Sequence, residues 1–327
     1  MAFDNCTELE RWEDLAAFAT DMNKDGDRVH FTFFVSGSNF LADTSRNSYQ
    51  APHQGRGYSR ISFGGSSDDV RRRIAYVNEL RRNGHEIASH AVGHFDGRAW
   101  SSSDWNQEFN SYREIFDHAA PNNAMPAEAG FAFSFTDIVG FRAPYLANGA
   151  GLYTTLREHH FRYDASGESE SNAWPEQKDG VWRFNLASIP LNHSGKHLLS
   201  MDYNFFVAQS HAVADPRRHD ADREQTLQTY LDYFKANYTG NRAPVHIGHH
   251  FFDYQGGAYR EALKEFARAV CGLPEVRCIT YEKLADVMDG LDQQTLAAYR
   301  AGAFPHADEP VLDAITVSAQ AQSHRIQ

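Results

Sequence analysis

Long apolar runs, internal repeats and cysteines are the scarcest features of this sequence, and each scarcity narrows the class of protein. No run of apolar residues approaches the roughly 20 needed to cross a bilayer, so we expect no membrane span. No segment of the chain repeats another, which makes a repeat architecture unexpected. The three cysteines are Cys6, Cys271 and Cys278. The last two flank a short turn, and this spacing is compatible either with a disulfide or with two buried thiols.

Positive charge is also in short supply. The chain has 31 lysines and arginines against 43 aspartates and glutamates, so its net charge is −12. Such a balance repels polyanions, and we therefore expect no nucleic acid and no anionic membrane surface as a partner. The one basic run, at residues 71–73, lies in a predicted helix whose apolar residues recur at helical spacing. We interpret this run as the solvated face of that helix.

The composition is otherwise that of a folded domain with a large core. The 327 residues are 42% hydrophobic and 13% aromatic. Helical and strand-like periodicities alternate along the chain, which favours a mainly parallel sheet covered by helices, either barrel-like or doubly wound. Helices are predicted at residues 8–20, 68–82, 149–160, 223–237 and 258–270, strands at 29–35, 85–89, 138–144 and 243–248, and long loops at 36–69, 98–130 and 164–222. One domain is expected over residues 1–300, followed by a polar C-terminal tail over 301–327.

Two histidines four residues apart follow a predicted strand. In SHAVGH, residues 89–94, His90 and His94 are spaced to converge on one metal ion. Ala91 stands where the metalloprotease pattern HExxH has its glutamate, so a hydrolytic site here needs another base. Asp4, at the end of a short strand-like segment, is a candidate for that base. A cap for the helix that begins near Glu8 is the alternative interpretation of Asp4.

Five short motifs occur in a characteristic order. They are AFDN at 2–5, TFFVSG at 32–37, SHAVGH at 89–94, FRAPY at 141–145 and YDASGE at 163–168. Together they resemble the polysaccharide deacetylases of carbohydrate esterase family 4, and most of all the arthropod-type chitin deacetylases. The segments NRAPVHIGHHFF at 241–252 and PEVRCITYEKLADVM at 274–288 are similar to the closing part of that family. The resemblance extends from residue 2 to about residue 290.

The resemblance implies an α/β fold, namely a distorted, incomplete (β/α) barrel with a groove at the carboxyl ends of its strands. Residues 1–300 would then be the catalytic domain. A divalent metal, usually zinc, would lie between His90, His94 and an acidic residue. Asp4 corresponds to the catalytic base that takes a proton from water, and Arg142 corresponds to the arginine that pairs with this base and holds it ionised.

Asn5 is where the sequence departs from the family pattern, which has a metal-binding aspartate at this position. A carboxamide oxygen can still bind a metal, but the lost negative charge should weaken binding. Three interpretations follow: a working site with an asparagine ligand, a weak or exchangeable site, or a site that has lost its metal. Retention of Asp4 and both histidines favours a working site, because a binding-only protein has no chemical need for a base.

The general acid that protonates the leaving amine is expected from HIGHH, residues 246–250. Counting from NRAP selects His250. Strand alternation places Ile247 and His249 on one face, and the family has an aliphatic residue and its histidine in one pocket, which selects His249. The sequence leaves both histidines open, with a narrow preference for His249.

Three more positions are implied by the resemblance. Asp164 corresponds to an acidic residue that raises the pKa of the catalytic histidine. The backbone N–H of Tyr145 would stabilise the developing oxyanion. Trp174 would form a wall of the acetyl pocket, together with Ile247, although ordinary core packing is the alternative for Trp174.

The activity implied is that of a polysaccharide N-deacetylase, a hydrolase of carbon–nitrogen amide bonds. It would remove acetyl groups from N-acetylglucosamine units of chitin or a related polysaccharide and release acetate. Peptidoglycan or an exopolysaccharide is the alternative substrate, and a catalytically weakened carbohydrate-binding protein is the alternative class, because of Asn5. Aromatic residues in loop-like contexts, Trp100, Trp105 and Tyr145, would contact the polymer. We expect a secreted or cell-envelope location with the leader outside this chain, and the sequence leaves the oligomeric state open.

Overall fold

The computed structural model describes residues 1–26 and 28–303. Within these residues the strands are β1 (Ala2–Asp4), β2 (Thr32–Val35), β3 (Glu86–Ser89), β4 (Gly140–Phe141), β5 (Tyr163–Asp164), β6 (Glu168–Glu170), β7 (Glu176–Lys178), β8 (Val181–Arg183), β9 (Leu186–Pro190), β10 (His197–Leu199) and β11 (Gly248–His250). The α-helices there are α1 (Leu9–Asn23), α2 (Ser67–Arg82), α3 (Ser102–Asp117), α4 (Ala119–Asn122), α5 (Ala150–Glu158), α6 (Asp202–Ser210), α7 (His219–Thr239), α8 (Ala258–Val270), α9 (Tyr281–Asp289) and α10 (Gln293–Arg300). The predicted tail over 301–327 lies, from residue 304 onward, outside the described residues.

The main sheet confirms the predicted α/β fold of the incomplete (β/α) barrel type. It has eight strands in the order β11-β1-β2-β3-β4-β5-β8-β7, and it curls into a half-barrel. All neighbours pair in parallel except β7, which runs antiparallel to β8. A small second sheet has the order β10-β9-β6. Because the main-sheet strands from β11 to β8 are parallel, their carboxyl ends lie along one rim, where side chains from distant segments meet.

The sequence explains why helices cover this sheet. All four residues of β2, TFFV, are buried, as expected for a parallel strand covered on both sides. Helix α1 contributes an apolar stripe that includes Trp12, Leu15 and Phe18 to the core. Helices α2 and α3 each begin with a capping box, Ser66 with Asp69 and Ser101 with Asp104. No helix among residues 1–26 and 28–303 has the length and apolar character of a membrane span.

Most predicted elements are confirmed, but two predicted loops are wrong in part. The segment 98–130 contains the four-turn helix α3, and the segment 164–222 contains the five strands β6 to β10 and helix α6. The strand predicted at 243–248 is displaced, since β11 begins only at Gly248. Cys271 and Cys278 form a disulfide between the end of α8 and the segment before α9, whereas Cys6 is a buried free thiol.

Candidate active site

Four parallel strands bring the candidate residues to one rim of the sheet. Strand β1 ends at Asp4, and β11, its neighbour, pairs His250 with Asp4. Strand β3 ends one residue before His90, and β4 ends one residue before Arg142. These positions are up to 246 residues apart along the chain, yet they lie together because parallel strands place their carboxyl ends side by side.

Asp4 and Arg142 form a buried ion pair. Arg142 Nη1 donates to Asp4 Oδ1 at 2.8 Å, and both side chains are almost completely shielded from solvent. Burial alone would raise the pKa of Asp4, but the nearby Arg142 and the histidines His90 and His250 outweigh it, so the pKa is lowered from its usual value. Asp4 is therefore held as a carboxylate. Arg142 also donates to the carbonyl of Ala165 and lies over the ring of Phe34, which holds its guanidinium in one orientation.

His90 and His94 lie next to one another as neutral imidazoles. Their ring centroids are 5.2 Å apart. Burial lowers the pKa of His90 to about 4 and that of His94 to about 3. His90 Nδ1 contacts the carbonyl oxygen of Arg142 at 2.7 Å, so its Nε2 is the nitrogen that can bind a ligand. His94 Nδ1 is buried and has no hydrogen-bond partner among the described residues.

Asn5 stands beside this histidine pair. Its amide Nδ2 lies 3.2 Å from His94 Nε2, and Ser36 Oγ donates weakly to its Oδ1 at 3.5 Å. Asn5 has φ = 52°, in the left-handed region that asparagine and aspartate tolerate better than most side chains. No group of three or more His, Cys, Asp or Glu side chains within 1–26 and 28–303 could hold a metal, so a site at this histidine pair would depend on the amide of Asn5 as a further ligand.

His250 faces Asp4 and is paired with a residue that the sequence analysis missed, Asp202. His250 Nδ1 lies 2.7 Å from Asp202 Oδ1, and the backbone N–H of His250 donates to Asp202 Oδ2 at 2.8 Å. Burial alone would lower the pKa of His250, but the carboxylate of Asp202 outweighs it and raises the pKa. Asp202 opens α6 in a region predicted as loop, and an aspartate at a helix start is too common to have been singled out.

The structure favours His250 over His249 at the rim. His249 pairs with Phe3 in the neighbouring strand, and its Nε2 lies 3.0 Å from the hydroxyl of Tyr230 in α7. Its Nδ1 is 3.8 Å from Asp202 Oδ2, farther than the 2.7 Å between His250 Nδ1 and Asp202 Oδ1. Burial lowers the pKa of His249 to about 4. Ile247 is also away from the rim, since it is fully buried in the hydrophobic core. Alternation did place both on one face, but that face is the one covered by helices.

Asp164, which the resemblance makes the residue that tunes the catalytic histidine, is engaged by Ser166 and Arg183. Its Oδ1 accepts a hydrogen bond from Ser166 Oγ at 2.5 Å, and its Oδ2 lies 3.4 Å from Arg183 Nη1. Ser166 Oγ in turn accepts from the backbone N–H of Ala143 at 2.7 Å. Burial raises the pKa of Asp164. Asp164 thus supports the RAPY loop through Ser166, while the contact with the histidine is made by Asp202.

Tyr145 lies at the mouth of the site. Its ring contacts His94 edge to face with centroids 4.7 Å apart, and 58% of the residue is exposed. Its φ of 57° shows that the backbone turns sharply here. Tyr145 is also part of the wall of an open groove of about 650 Å³, which Phe95 and Trp100 line as well. Trp105, also proposed as a polymer contact, is instead fully buried behind Trp100.

Trp174 lines a cavity that neither His90 nor His94 lines. Its indole Nε1 donates to the carbonyl of Asn241 at 2.9 Å, and its ring packs against Tyr299. The cavity it lines has a volume of about 450 Å³ and also includes Arg183 and His246. Its role as a wall of an acetyl pocket therefore stays a prediction.

Comparison with known proteins bears on the family. Residues 15–129 match the family model described as polysaccharide deacetylase. Chitin deacetylase 1 of Bombyx mori is 35% identical over 97 residues, which are 28% of this chain and 16% of that relative. Chitin deacetylase 8 of Bombyx mori is 26% identical over 237 residues, which are 64% of this chain and 57% of that relative. The matches thus span only part of both relatives.

A solved structure shows the same fold. A candidate polysaccharide deacetylase from Mycobacterium smegmatis superimposes with a TM-score of 0.55 over 89% of each chain, at 15% identity. These comparisons confirm the resemblance seen in the motifs. Residues 15–129 thus match a polysaccharide deacetylase model, and parts of the chain are similar to chitin deacetylases.

Proposed function

We propose that this chain is a metal-dependent N-deacetylase that hydrolyses the acetamide of N-acetylglucosamine units in chitin or a related polysaccharide. The observation that carries the proposal is that a proton acceptor and a proton donor lie together on one rim of the sheet. Asp4 is held ionised by Arg142, and His250 has its pKa raised by Asp202. A carboxylate that can accept a proton and an imidazole that can donate one, on the same face, are what amide hydrolysis needs.

Each of these side chains has a distinct task in the proposed reaction. Asp4 accepts a proton from water as the water oxygen bonds to the acetyl carbon. His250 donates a proton to the amide nitrogen as the carbon–nitrogen bond breaks, so that acetate and a free amine are the products. Arg142 keeps the base ionised, and the backbone N–H of Tyr145 donates to the negative charge that develops on the carbonyl oxygen.

The side chains beside this pair fit a divalent cation, and zinc suits them best. His90 and His94 are neutral and adjacent, His94 retains a buried nitrogen without a partner in the described chain, and the amide of Asn5 reaches His94. Nitrogen and oxygen donors of this kind are typical zinc ligands. When bound, the cation would polarise the acetyl carbonyl as a Lewis acid. Since Asn5 brings no charge, we expect weaker binding than a carboxylate ligand would give.

A polymer is proposed as the substrate because of the groove beside the site. The groove is open, extends from Tyr145 and is lined by Phe95 and Trp100. Aromatic rings supply large apolar contact faces with a fixed geometry, and sugar rings stack on such faces. Similarity to chitin deacetylases supports chitin-like polymers, with peptidoglycan and exopolysaccharide as the alternatives.

A carbohydrate-binding protein without turnover is the second candidate, and Asn5 is the observation that favours it. Without a carboxylate ligand the metal can be lost, and the groove would remain as a binding surface. Both candidates predict glycan binding. They differ in whether acetate is released and in whether that release depends on a metal.

The test is acetate release from N-acetylglucosamine tetramers, together with the metal content of the protein by mass spectrometry. We expect bound zinc and acetate release that chelation abolishes and added zinc restores. Asp4→Asn should lower kcat at least about 100-fold, because it removes the base. Asp43→Asn, at an exposed position, is the matched control. If no acetate is released after zinc is added back, the deacetylase proposal is wrong and the glycan-binding protein remains. Parallel assays with peptidoglycan and exopolysaccharide fragments test which polymer is the substrate.

A location outside the cytoplasm, secreted or in the cell envelope, is proposed with this function. The disulfide between Cys271 and Cys278 supports it, because disulfides persist mainly in oxidising compartments. Fractionation of source cells with detection by antibody tests the location. Recovery of the protein with three free thiols from the cytoplasm would contradict it.

A further inference from the structure

A buried carboxylate lies behind the turn that connects His90 with His94. Glu108, on α3, is fully shielded from solvent. Its Oε1 accepts hydrogen bonds from the backbone N–H groups of Val92 at 2.8 Å and of Gly93 at 3.3 Å. The hydroxyl of Tyr49, also buried, donates to Glu108 Oε2 at 2.9 Å. A carboxylate is thus surrounded by donors from the turn and from a neighbouring loop.

The turn itself has a backbone that needs outside support. Ala91 and His94 both have φ = 56°, in the left-handed region that side chains other than glycine adopt only at a cost. The carbonyls of Ala91, Val92 and Gly93 accept from other segments, whereas the N–H groups of Val92 and Gly93 turn inward to Glu108. A Cβ at Gly93 would come within 2.7 Å of the Tyr49 hydroxyl oxygen, so the turn fits closely against this pair.

We propose that Glu108 is a positioning residue that fixes the turn 91–93 and thereby the relative orientation of the two imidazoles. The proposal rests on the proposed function, in which His90 and His94 hold a metal. Glu108 touches neither ring and acts through the backbone between them. Residues that orient metal ligands in this indirect way typically affect affinity about 10- to 100-fold.

Glu86 supplies a matched control. It is also a buried carboxylate that accepts from a tyrosine hydroxyl, Tyr163 at 2.7 Å, and from a backbone N–H, that of Glu282 at 2.9 Å. It lies at the opposite end of β3 from His90, about 13 Å away along the strand at about 3.3 Å per residue. Loss of Glu86 should destabilise the fold in the same way as loss of Glu108, without reaching the turn.

The experiment compares Glu108→Met with Glu86→Met by zinc titration calorimetry and, without metal, by hydrogen–deuterium exchange of the peptide spanning 90–95. We expect Glu108→Met to weaken zinc binding about 10- to 100-fold and to speed exchange in this peptide. Glu86→Met should do neither. Glu108→Gln, which keeps an acceptor oxygen, should restore affinity close to that of the wild type.

The outcomes separate this proposal from the proposed function. Wild-type zinc affinity or wild-type exchange in Glu108→Met would overturn the positioning role. If the wild type itself binds no zinc, the metal part of the proposed function fails, and the exchange of the metal-free proteins still decides whether Glu108 fixes the turn. Should Glu108→Met not fold, Glu108→Asp against Glu86→Asp withdraws each carboxylate by one methylene and gives the same comparison.

Discussion

Asp202 is the residue whose charge should decide the pH range of the reaction. It is the main group that raises the pKa of His250 against the effect of burial. Asp202→Asn keeps the shape but removes the charge, so the pKa of His250 should fall by at least about one unit. As the general acid must be protonated, the falling alkaline limb of kcat against pH should move to lower pH by the same amount.

This prediction is checked by the pH dependence of kcat for both proteins. Asp222→Asn is the control, because Asp222 is an equally buried aspartate whose partners are Arg218 and Gln255. An alkaline limb that stays in place in Asp202→Asn would mean that His250 is not the acid.

Asn5→Asp should strengthen metal binding. The added negative charge would lie next to His94, and aspartate accepts the left-handed backbone of this position as readily as asparagine. We expect zinc affinity to rise about tenfold or more, measured by titration calorimetry. Asn47→Asp, at an exposed position, adds the same charge elsewhere. An unchanged affinity in Asn5→Asp would show that this side chain is not a ligand.

The sequence was sufficient for residues that follow strands directly, and insufficient where register decides. Asp4, His90 and Arg142 come at or one residue after a strand end, where a parallel sheet brings side chains together, and the family resemblance had pointed to the same residues. His249 and His250 could not be distinguished, because neighbouring residues exchange faces when the strand register shifts by one.

At the scale of elements, the segment 164–222 shows what periodicity cannot detect. Strands β6 to β10 are three to five residues long, and alternation over so few residues does not rise above chance. The helices α1, α2, α7 and α8 were predicted to within a few residues because each presents several turns of regular spacing. Asp202 was lost with the short elements, since it opens one of them.

Glu86 links its own strand to three other elements and should give stability a marked dependence on pH. It joins β3 to β2 through Thr32, to β5 through Tyr163 and to the start of α9 through the N–H of Glu282. Burial raises the pKa of Glu86 from 4.5 to about 7. Because its pKa is higher in the folded state than in the unfolded chain, Glu86 stabilises the fold fully below pH 4.5. This stabilisation, roughly 3 kcal/mol of the free energy of unfolding, is lost as the pH rises through 7.

Glu86→Gln should remove this dependence, because glutamine stays neutral. Urea unfolding at pH 4.5 and pH 8 measures the free energy of unfolding of both proteins. From pH 4.5 to pH 8 the free energy of unfolding of the wild type should fall by up to roughly 3 kcal/mol more than that of Glu86→Gln. A constant difference would mean that Glu86 is ionised over the whole range.

At the scale of the whole molecule, the groove beside the rim should make the activity depend on chain length. Trp100 lines this groove together with Tyr145 and packs against the buried Trp105. Trp100→Ala should lower kcat/KM for an N-acetylglucosamine tetramer about tenfold, which corresponds to ~1.4 kcal/mol of lost contact. A monomer or dimer that does not reach Trp100 is the internal control. An equal loss for short and long substrates would place the polymer elsewhere.

The position of β1 in the sheet has a consequence for how the protein is made. Residues 2–4 pair on one side with residues 32–34 and on the other with residues 248–250. A ribosome adds about 5–20 residues per second, so β1 waits roughly 10 to 50 s after its own synthesis for its second neighbour. During that time its unpaired edge and the aromatic residues beside it are open to pairing with other nascent chains. We therefore expect the yield of soluble protein to depend on chaperones that hold the amino-terminal region until the last third of the chain has emerged.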